Sequence, residues 1–271
     1  MSLRFERNRV RATRQDPPWK FVRAFPHNGN ELLVHLNNVS GGVLAGDRLA
    51  LDVAVEAGAA AHITTTGAAR LYRHRTGARD SEQRSIFTVG EGARLDYLPD
   101  ALIPYAGSRH TQRTEIRLAT GASAFWWEVL APGRQAAGEI FAFERLCVES
   151  DVRVRGVPTL RESFVLEPGV RPLAVTARMR EYSYLASLVV CQEGRPPSFW
   201  RGVEDSLNDL AIERTRLGEA AWGASTLASD GVLVRGLCSS SRFVFPALTD
   251  FWRLARRIVI GEDAVLPRKV Y

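Results

Sequence analysis

Lysine is almost absent from this chain. Lys20 and Lys269 are the only two, so nearly all the positive charge is arginine. The formal net charge is +6, but the arginines are spread along the chain among Asp and Glu, with no basic run longer than Arg256-Arg257. A nucleic-acid footprint concentrates its basic residues on a stripe or patch, so no nucleic-acid partner is expected. Cysteine is scarce too. Cys147, Cys191 and Cys238 are odd in number, far apart, without a CxxC spacing, and set in apolar segments. They read as buried thiols of a reducing compartment, and a cytoplasmic location is expected. No apolar run approaches the roughly 20 residues of a membrane span, so no membrane partner is expected. The charged start, through Pro17-Pro18, lacks the apolar core of a secretory leader.

Chemical signatures are equally sparse. The five histidines, His27, His35, His62, His74 and His110, form no HxH, HxxxH or HExxH, and none lies close to a cysteine. That excludes a ready-made zinc motif and leaves open a transient site assembled from distant residues. There is no GxSxG elbow for a serine nucleophile. Gly41-Gly42 and Gly46-Asp47 resemble a phosphate cradle only superficially. The GxxxxGK[ST] order is missing, and a strand follows where a helix N-terminus would be needed. Nothing marks the carboxylate pairs Asp47/Asp52 and Glu139/Glu144 as an acid and a base.

What the chain does have is apolar content and alternation. Of its 271 residues 45% are hydrophobic and 24% charged, which suits a globular fold with a sizeable core. Leu3 and Phe5 predict an initial strand, Trp19 to Phe25 alternates weakly, and Leu32 to Leu36 has the content of a strand. From Asn37 to Tyr72 the chain reads as a Gly-rich turn ending in Asp47-Arg48, a strand carrying Leu49, Leu51, Val53 and Val55, a Gly58-Ala59 reversal, and a second strand ending in Thr64 to Thr66. The plan recurs at Gly92-Ala93 and Gly121-Ala122, each flanked by strands. Two architectures satisfy this repeat: strand pairs stacked into a continuous core, or a plain antiparallel meander. Strands are also predicted over Arg145 to Arg155, Leu160 to Leu166 and Pro172 to Met179.

The character changes near residue 180. Tyr184, Leu185, Leu188 and Val189 have helical spacing, although Leu188 to Cys191 also suits a buried strand. A helix is predicted from an N-cap at Ser198, with Trp200, Val203, Leu207 and Leu210 on one face. Trp222 to Leu227 and Val232 to Leu237 read as a hairpin around Ser229-Asp230-Gly231. A last helix is predicted with Pro246 in its first turn, an apolar face of Leu248, Phe251, Trp252, Ala255 and Ile258, and Gly261 as its stop. The expectation is one mainly β domain over residues 1–271, with a repeat core at about 32–180 and a helical patch within about 182–260.

Polar groups at strand ends supply the site candidates. Asp47 suits an acceptor for turn amides. The threonines offer hydroxyls but are also good strand residues. Gly133-Arg134-Gln135-Ala136-Ala137-Gly138-Glu139 separates two strand-like runs, Ala124 to Leu130 and Ile140 to Leu146. Its Arg and Glu either pair across a bent connection or present a charged site.

Taken in order, these segments resemble the urease accessory protein UreD family, also called UreH. Gly41 to Arg48 resembles its GG-x-x-x-GD-x motif. Val55 to Ala59 followed by Ile63 to Thr66 and Leu71-Tyr72-Arg73 resembles its GA…TTQ segment, with Thr66 in place of Gln. Leu98 to Tyr105 with Gly107-Ser108-Arg109 is similar to its P-x-x-x-I-x-F…A-R segment. Gly133-Arg134 with Gly138-Glu139 is similar to GR-x-x-x-GE, and Leu266 to Tyr271 to its PR-x-W end. The resemblance implies a mainly β, superhelical, β-helix-like stack of strand pairs with a few helices, and a protein that is not an enzyme. It implies a scaffold that joins UreF and the GTPase UreG on apo-urease and helps deliver nickel, with no tightly bound cofactor and nickel only in transit. By motif position, Asp47, Thr65, Arg134 and Glu139 are the candidates for the nickel path. From the residues alone, a β-repeat carbohydrate-active hydrolase or lyase is the alternative, and it would need a groove lined by two carboxylates.

Overall fold

The three Gly-Ala pairs are corners where the chain passes from one sheet to another. Gly58, Gly92 and Gly121 have φ of 66°, 60° and 66°, the left-handed region that glycine enters without a Cβ penalty. Ala59, Ala93 and Ala122 behind them are buried. Successive corners hydrogen-bond in a column: the Gly58 amide donates to Glu91 O and the Gly92 amide to Thr120 O, both at 2.9 Å. A hairpin would have paired the two strands around each corner. Here each strand pairs with its counterpart in the next repeat, so the stacked architecture holds and the meander does not.

A computed structural model describes residues 1–267. Its strands are β1 (Ser2–Glu6), β2 (Arg9–Arg14), β3 (Trp19–Lys20), β4 (Ala24–Pro26), β5 (Glu31–Asn38), β6 (Arg48–Val55), β7 (Ala60–Thr65), β8 (Ala69–Leu71) and β9 (Ser81–Val89). They continue as β10 (Arg94–Leu98), β11 (Leu102–Pro104), β12 (Arg109–Leu118), β13 (Ser123–Leu130), β14 (Arg145–Val154), β15 (Val157–Leu166) and β16 (Tyr184–Gln192). Helix α1 (Pro197–Arg214), β17 (Ala220–Thr226), β18 (Gly231–Cys238) and α2 (Ser241–Ile260) follow.

Two sheets result. The first runs β15-β14-β12-β9-β6-β1-β2 and the second β17-β18-β16-β13-β10-β7-β5-β3. Pairing is parallel from β1 through β6, β9 and β12 to β14, and from β5 through β7 and β10 to β13. Consecutive strands alternate between the sheets, which is a β-helix-like superhelix with open edges. Antiparallel strands flank it: β15 on the first sheet and β16, β18 and β17 on the second. Short β8 and β11 pair with each other, and a bridge from Val43 to Leu71 extends that ladder. The fold is mainly β with two helices toward the C-terminus, as expected.

Period-two alternation divides every strand between two environments. Leu49, Leu51, Val53 and Val55, with Ile116 and Val152 of the same sheet, face Ala61, Ile63 and Leu95 between the sheets. The outer face of the second sheet carries Phe125, Trp127, Leu188, Val190 and Val234. Val244, Leu248, Phe251, Trp252, Ala255 and Val259 of α2 cover it, with Trp200, Val203 and Leu207 of α1. Each large side chain buried this way contributes roughly 1.5–3 kcal/mol, so the helices are fixed mainly by this second core. At its ends α2 is held by the Ser240 hydroxyl, which accepts from the Arg242 amide at 3.5 Å, and by Gly261 at φ 71°.

Some expectations fail. Pro172 to Met179 is a run of bends and turns, because its polar neighbours Arg171, Thr176, Arg178 and Arg180 leave no apolar face to bury. Of the two readings open for Tyr184 to Cys191, the buried strand holds, as Tyr184–Gln192, since both its faces are covered. The strand after the Gly133–Glu139 connection begins at Arg145, not Ile140. The N-cap of α1 is Pro196, two residues before Ser198, with Pro197 at N1. Pro246 lies in the second turn of α2, not the first. Strands β2, β8 and β11 were not anticipated; each is exposed or only three residues long.

Candidate functional site

The space between the sheets is dry at one end and polar at the other. Phe87, Val89, Ile116, Leu118, Val152 and Val154 fill the ends where β9, β12 and β14 finish. At the starts of the same strands the same face carries Ser81, Gln83, Ser85, His110, Thr114 and Ser150, all buried. A cavity of about 90 Å³ opens there, lined by Gln83, Gln112 and Ser150 from the first sheet and by Thr65, Tyr97, Ser187 and Arg235 from the second. Its ionisable walls are Asp100, Glu128, Glu162, Tyr97 and Arg235. The volume is room for a few waters or a hydrated ion.

Each acid meets a different partner. Asp100 accepts from the Thr65 hydroxyl at 2.9 Å, while the Asp100 amide donates back to Thr65 Oγ1 at 2.8 Å. Glu162 accepts from Arg235 across the sandwich. Glu128 accepts a long bond from the Thr114 hydroxyl, at 3.4 Å, and has among the described residues no ion-pair partner. Burial raises its carboxyl to about 8 and the Glu162 charge pushes the same way, against the hydrogen bonds of Thr114 and Ser150. Burial likewise raises the Tyr97 phenol and lowers His110 to about 4. Near neutral pH, His110 is uncharged and Glu128 largely protonated.

Of the candidates read from sequence, Thr65 alone lines this cavity. Asp47 stays in its turn, where its Oδ2 accepts from the Leu44 amide at 2.9 Å. Arg134 and Glu139 pair across the bent connection through Nε–Oε2 at 2.9 Å and a second, shorter contact. Arg134 holds the Glu139 carboxyl below the usual range, helped by the Ala106 amide at 3.1 Å. These residues belong to one edge instead. The Arg134 guanidinium lies 4.5 Å over the Tyr105 ring, Tyr105 meets Tyr72 edge-on at 5.3 Å, and the Tyr72 hydroxyl reaches Gly41 O at 3.4 Å. Gly42 is required there: a Cβ would sit 2.4 Å from the Tyr72 ring and 2.7 Å from Arg70 O. The structure thus gathers the Gly-rich turn and the GR…GE segment along the β8–β11 ladder and leaves them at the surface.

Sequence reasoning missed Asp100, Glu128, Glu162 and Arg235. One signal was available. Glu128 interrupts the apolar strand Phe125-Trp126-Trp127-Glu128-Val129-Leu130, and a lone acid in such a run is the informative observation. For Glu162 and Arg235, in strands of mixed polarity, no such signal existed.

A second polar cluster lies under α2, on the far side of the second sheet. Arg256 is fully buried and donates to Asp96 at 2.6 Å and to Glu31 at 2.5 Å. Trp252 Nε1 donates to the other Asp96 oxygen at 2.6 Å, and Arg94 to Glu31 at 2.7 Å. Burial would raise Glu31, but the Arg256 and Arg94 guanidiniums outweigh it and hold the carboxyl down at about 2.

Fold and site together define a class: a superhelical two-sheet β protein with a helical back and an acidic, polar interior. Comparison with known proteins narrows it. The family model described as UreD urease accessory protein matches residues 1–271. A urease accessory protein UreD of Herpetosiphon aurantiacus is 38% identical over 270 residues, covering 100% of this chain and 94% of the relative. The protein of that name from Opitutus terrae is 35% identical over 222 residues, 80% of each chain. That from Yersinia enterocolitica is 32% identical over 246 residues, 87% of this chain and 72% of the relative. The chain belongs to the UreD family of urease accessory proteins. The Arg268 to Tyr271 part of the closing motif lies outside the described residues.

Proposed function

We propose that this protein is a non-catalytic scaffold that joins UreF and UreG on apo-urease, with its interior cavity lying on the route nickel takes. The observation that carries the second half is the lining: three carboxyl groups against one guanidinium, with hydroxyl and amide oxygens between them, inside a sandwich that is otherwise apolar. A cation entering here would favour release of the Glu128 proton, and the carboxylates would then outnumber the guanidinium, which suits a cation better than an anion. Oxygen donors bind nickel less tightly than imidazole or thiolate, which suits passage better than storage. Thr65 and Asp100 stand at one wall, Glu162 and Arg235 at another. The edge formed by Arg134, Glu139, Tyr105 and Gly41 is surface-exposed and is assigned to partner contact, not to the metal. No helix among the described residues is long and apolar enough to cross a membrane, in keeping with work on soluble partners.

A carbohydrate-active role fits poorly. Glu128 and Glu162 share the cavity, but its volume of about 90 Å³ is well below the roughly 300–1,000 Å³ of ligand pockets. The test is co-expression of the chain with UreF, UreG and apo-urease from one source. Recovery of a complex, and loss of urease nickel when this chain is omitted, support the proposal. Full nickel loading without it, or no complex, overturns it.

A further inference from the structure

His62 is fully buried, yet neither of its ring nitrogens has a hydrogen-bond partner. Leaving two such polar atoms dry costs about 1–3 kcal/mol each, so a buried orphan imidazole calls for a ligand. Its neighbours are suited to supply one. Glu31 Oε2 lies 3.7 Å from His62 Nδ1, too far for a hydrogen bond. The His27 ring meets His62 edge-on at 5.0 Å. One ligand atom from each of His27, Glu31 and His62 lies within 4.8 Å of the other two. Two ligands on one transition-metal ion, each with a bond of about 2.0–2.2 Å, lie roughly 3–4 Å apart. Closing the cluster on an ion therefore takes shifts of about an ångström.

We infer that His27, Glu31 and His62 form a binding site for one divalent transition-metal ion of the nickel, zinc or cobalt kind. Two imidazoles and one carboxylate are a donor set for such ions, and three protein ligands leave a position open for exchange. The surroundings agree. His27 Nε2 lies 2.9 Å from Val265 O, a carbonyl that only accepts, so the proton sits on Nε2 and the lone pair on Nδ1. Orienting a ligand imidazole through a backbone carbonyl in this way is usual at metal sites. The Arg94 and Arg256 guanidiniums both take Glu31 Oε1 and leave Oε2 toward His62. Their two charges are offset by Glu31, Asp96 and Glu262, which pair with them. His27 is half-buried and gives the route in.

This site is separate from the sandwich cavity. Within β7, His62 and Thr65 point to opposite faces: His62 packs edge-on to Trp252 of α2 at 5.7 Å, whereas Thr65 lines the cavity. The inference does not rest on nickel delivery to urease and stands or falls by direct binding.

The test is calorimetric titration of the full chain with Zn²⁺ and with Ni²⁺, and the visible spectrum of the Co²⁺-loaded chain. One equivalent is expected, with a Co²⁺ d–d spectrum of low coordination number. His27→Ala, at the accessible rim, weakens that equivalent more than tenfold and abolishes the spectrum, as does His62→Ala if it folds by circular dichroism. His74→Ala, on the β8–β9 connection, changes neither. No binding by the unaltered chain, or an unchanged isotherm and spectrum in His27→Ala, overturns the proposal.

Discussion

Glu31, buried, and Glu128, half-buried, lie on strands of the same sheet, and their carboxyls are pushed in opposite directions. Glu31, on the helix-covered face, meets two guanidiniums and is held at about 2. Glu128, on the face toward the first sheet, meets hydroxyls and is raised to about 8. Burial acts on both in the same direction. The difference is counter-charge, placed by which face of the sheet each residue takes. Where α2 must be fixed, the fold surrounds its acid with guanidiniums; where the sandwich is open inside, it leaves an acid that keeps its proton up to about pH 8.

That contrast can be broken from either side. The largest effect is expected at Arg256. Arg256→Met leaves Glu31 and Asp96 buried with reduced compensation, and stability should fall by about 3–5 kcal/mol, read as a shift in urea midpoint at unchanged slope. Glu128→Gln comes next and depends on pH. The folded state keeps the Glu128 proton above the range where the unfolded chain, near the ordinary carboxyl value of 4.5, releases it. Its contribution is therefore present below about pH 4.5 and is lost as pH rises to about 8. Relative to the unaltered chain, the Gln variant should be similar near pH 4.5 and more stable at pH 8.5 by up to a few kcal/mol, seen in melting curves. A pH-independent difference would remove the reason for treating the two acids as opposites.

Smaller effects test the surface edge. Asp47→Ala removes the acceptor for the Leu44 amide and should cost about 1 kcal/mol, as loss of a cap does. Arg134→Ala breaks the pair with Glu139 in a solvent-screened setting, so melting should barely move. Weakened recovery of UreF or urease with that variant would place the edge in an interface.

The sequence carried the architecture further than the site. Three Gly-Ala corners and alternating strands are periodic signals, so the stack, though not the choice against a meander, was legible. That choice depends on which strand pairs with which, and pairing across 29 residues or more leaves no local trace. The motifs at Asp47, Arg134 and Glu139 were visible because turns and bent connections demand particular residues. The cavity was not, because it is made from strand starts that are distant in sequence, and Gln83 or Ser150 acquires meaning only when the sheets face each other. His62 shows the same limit: a histidine in a β-strand says nothing until His27 and Glu31 arrive beside it.

The central claim is that the polar end of the sandwich carries the metal. Ser187, small and on the cavity wall, allows it to be tested without altering charge. Ser187→Leu should fill the cavity while leaving α2 and the surface edge intact. Urease matured with this variant should contain much less nickel and show correspondingly low activity, although the complex with UreF and UreG is recovered in normal yield. Full nickel content in urease from such a complex would contradict the account.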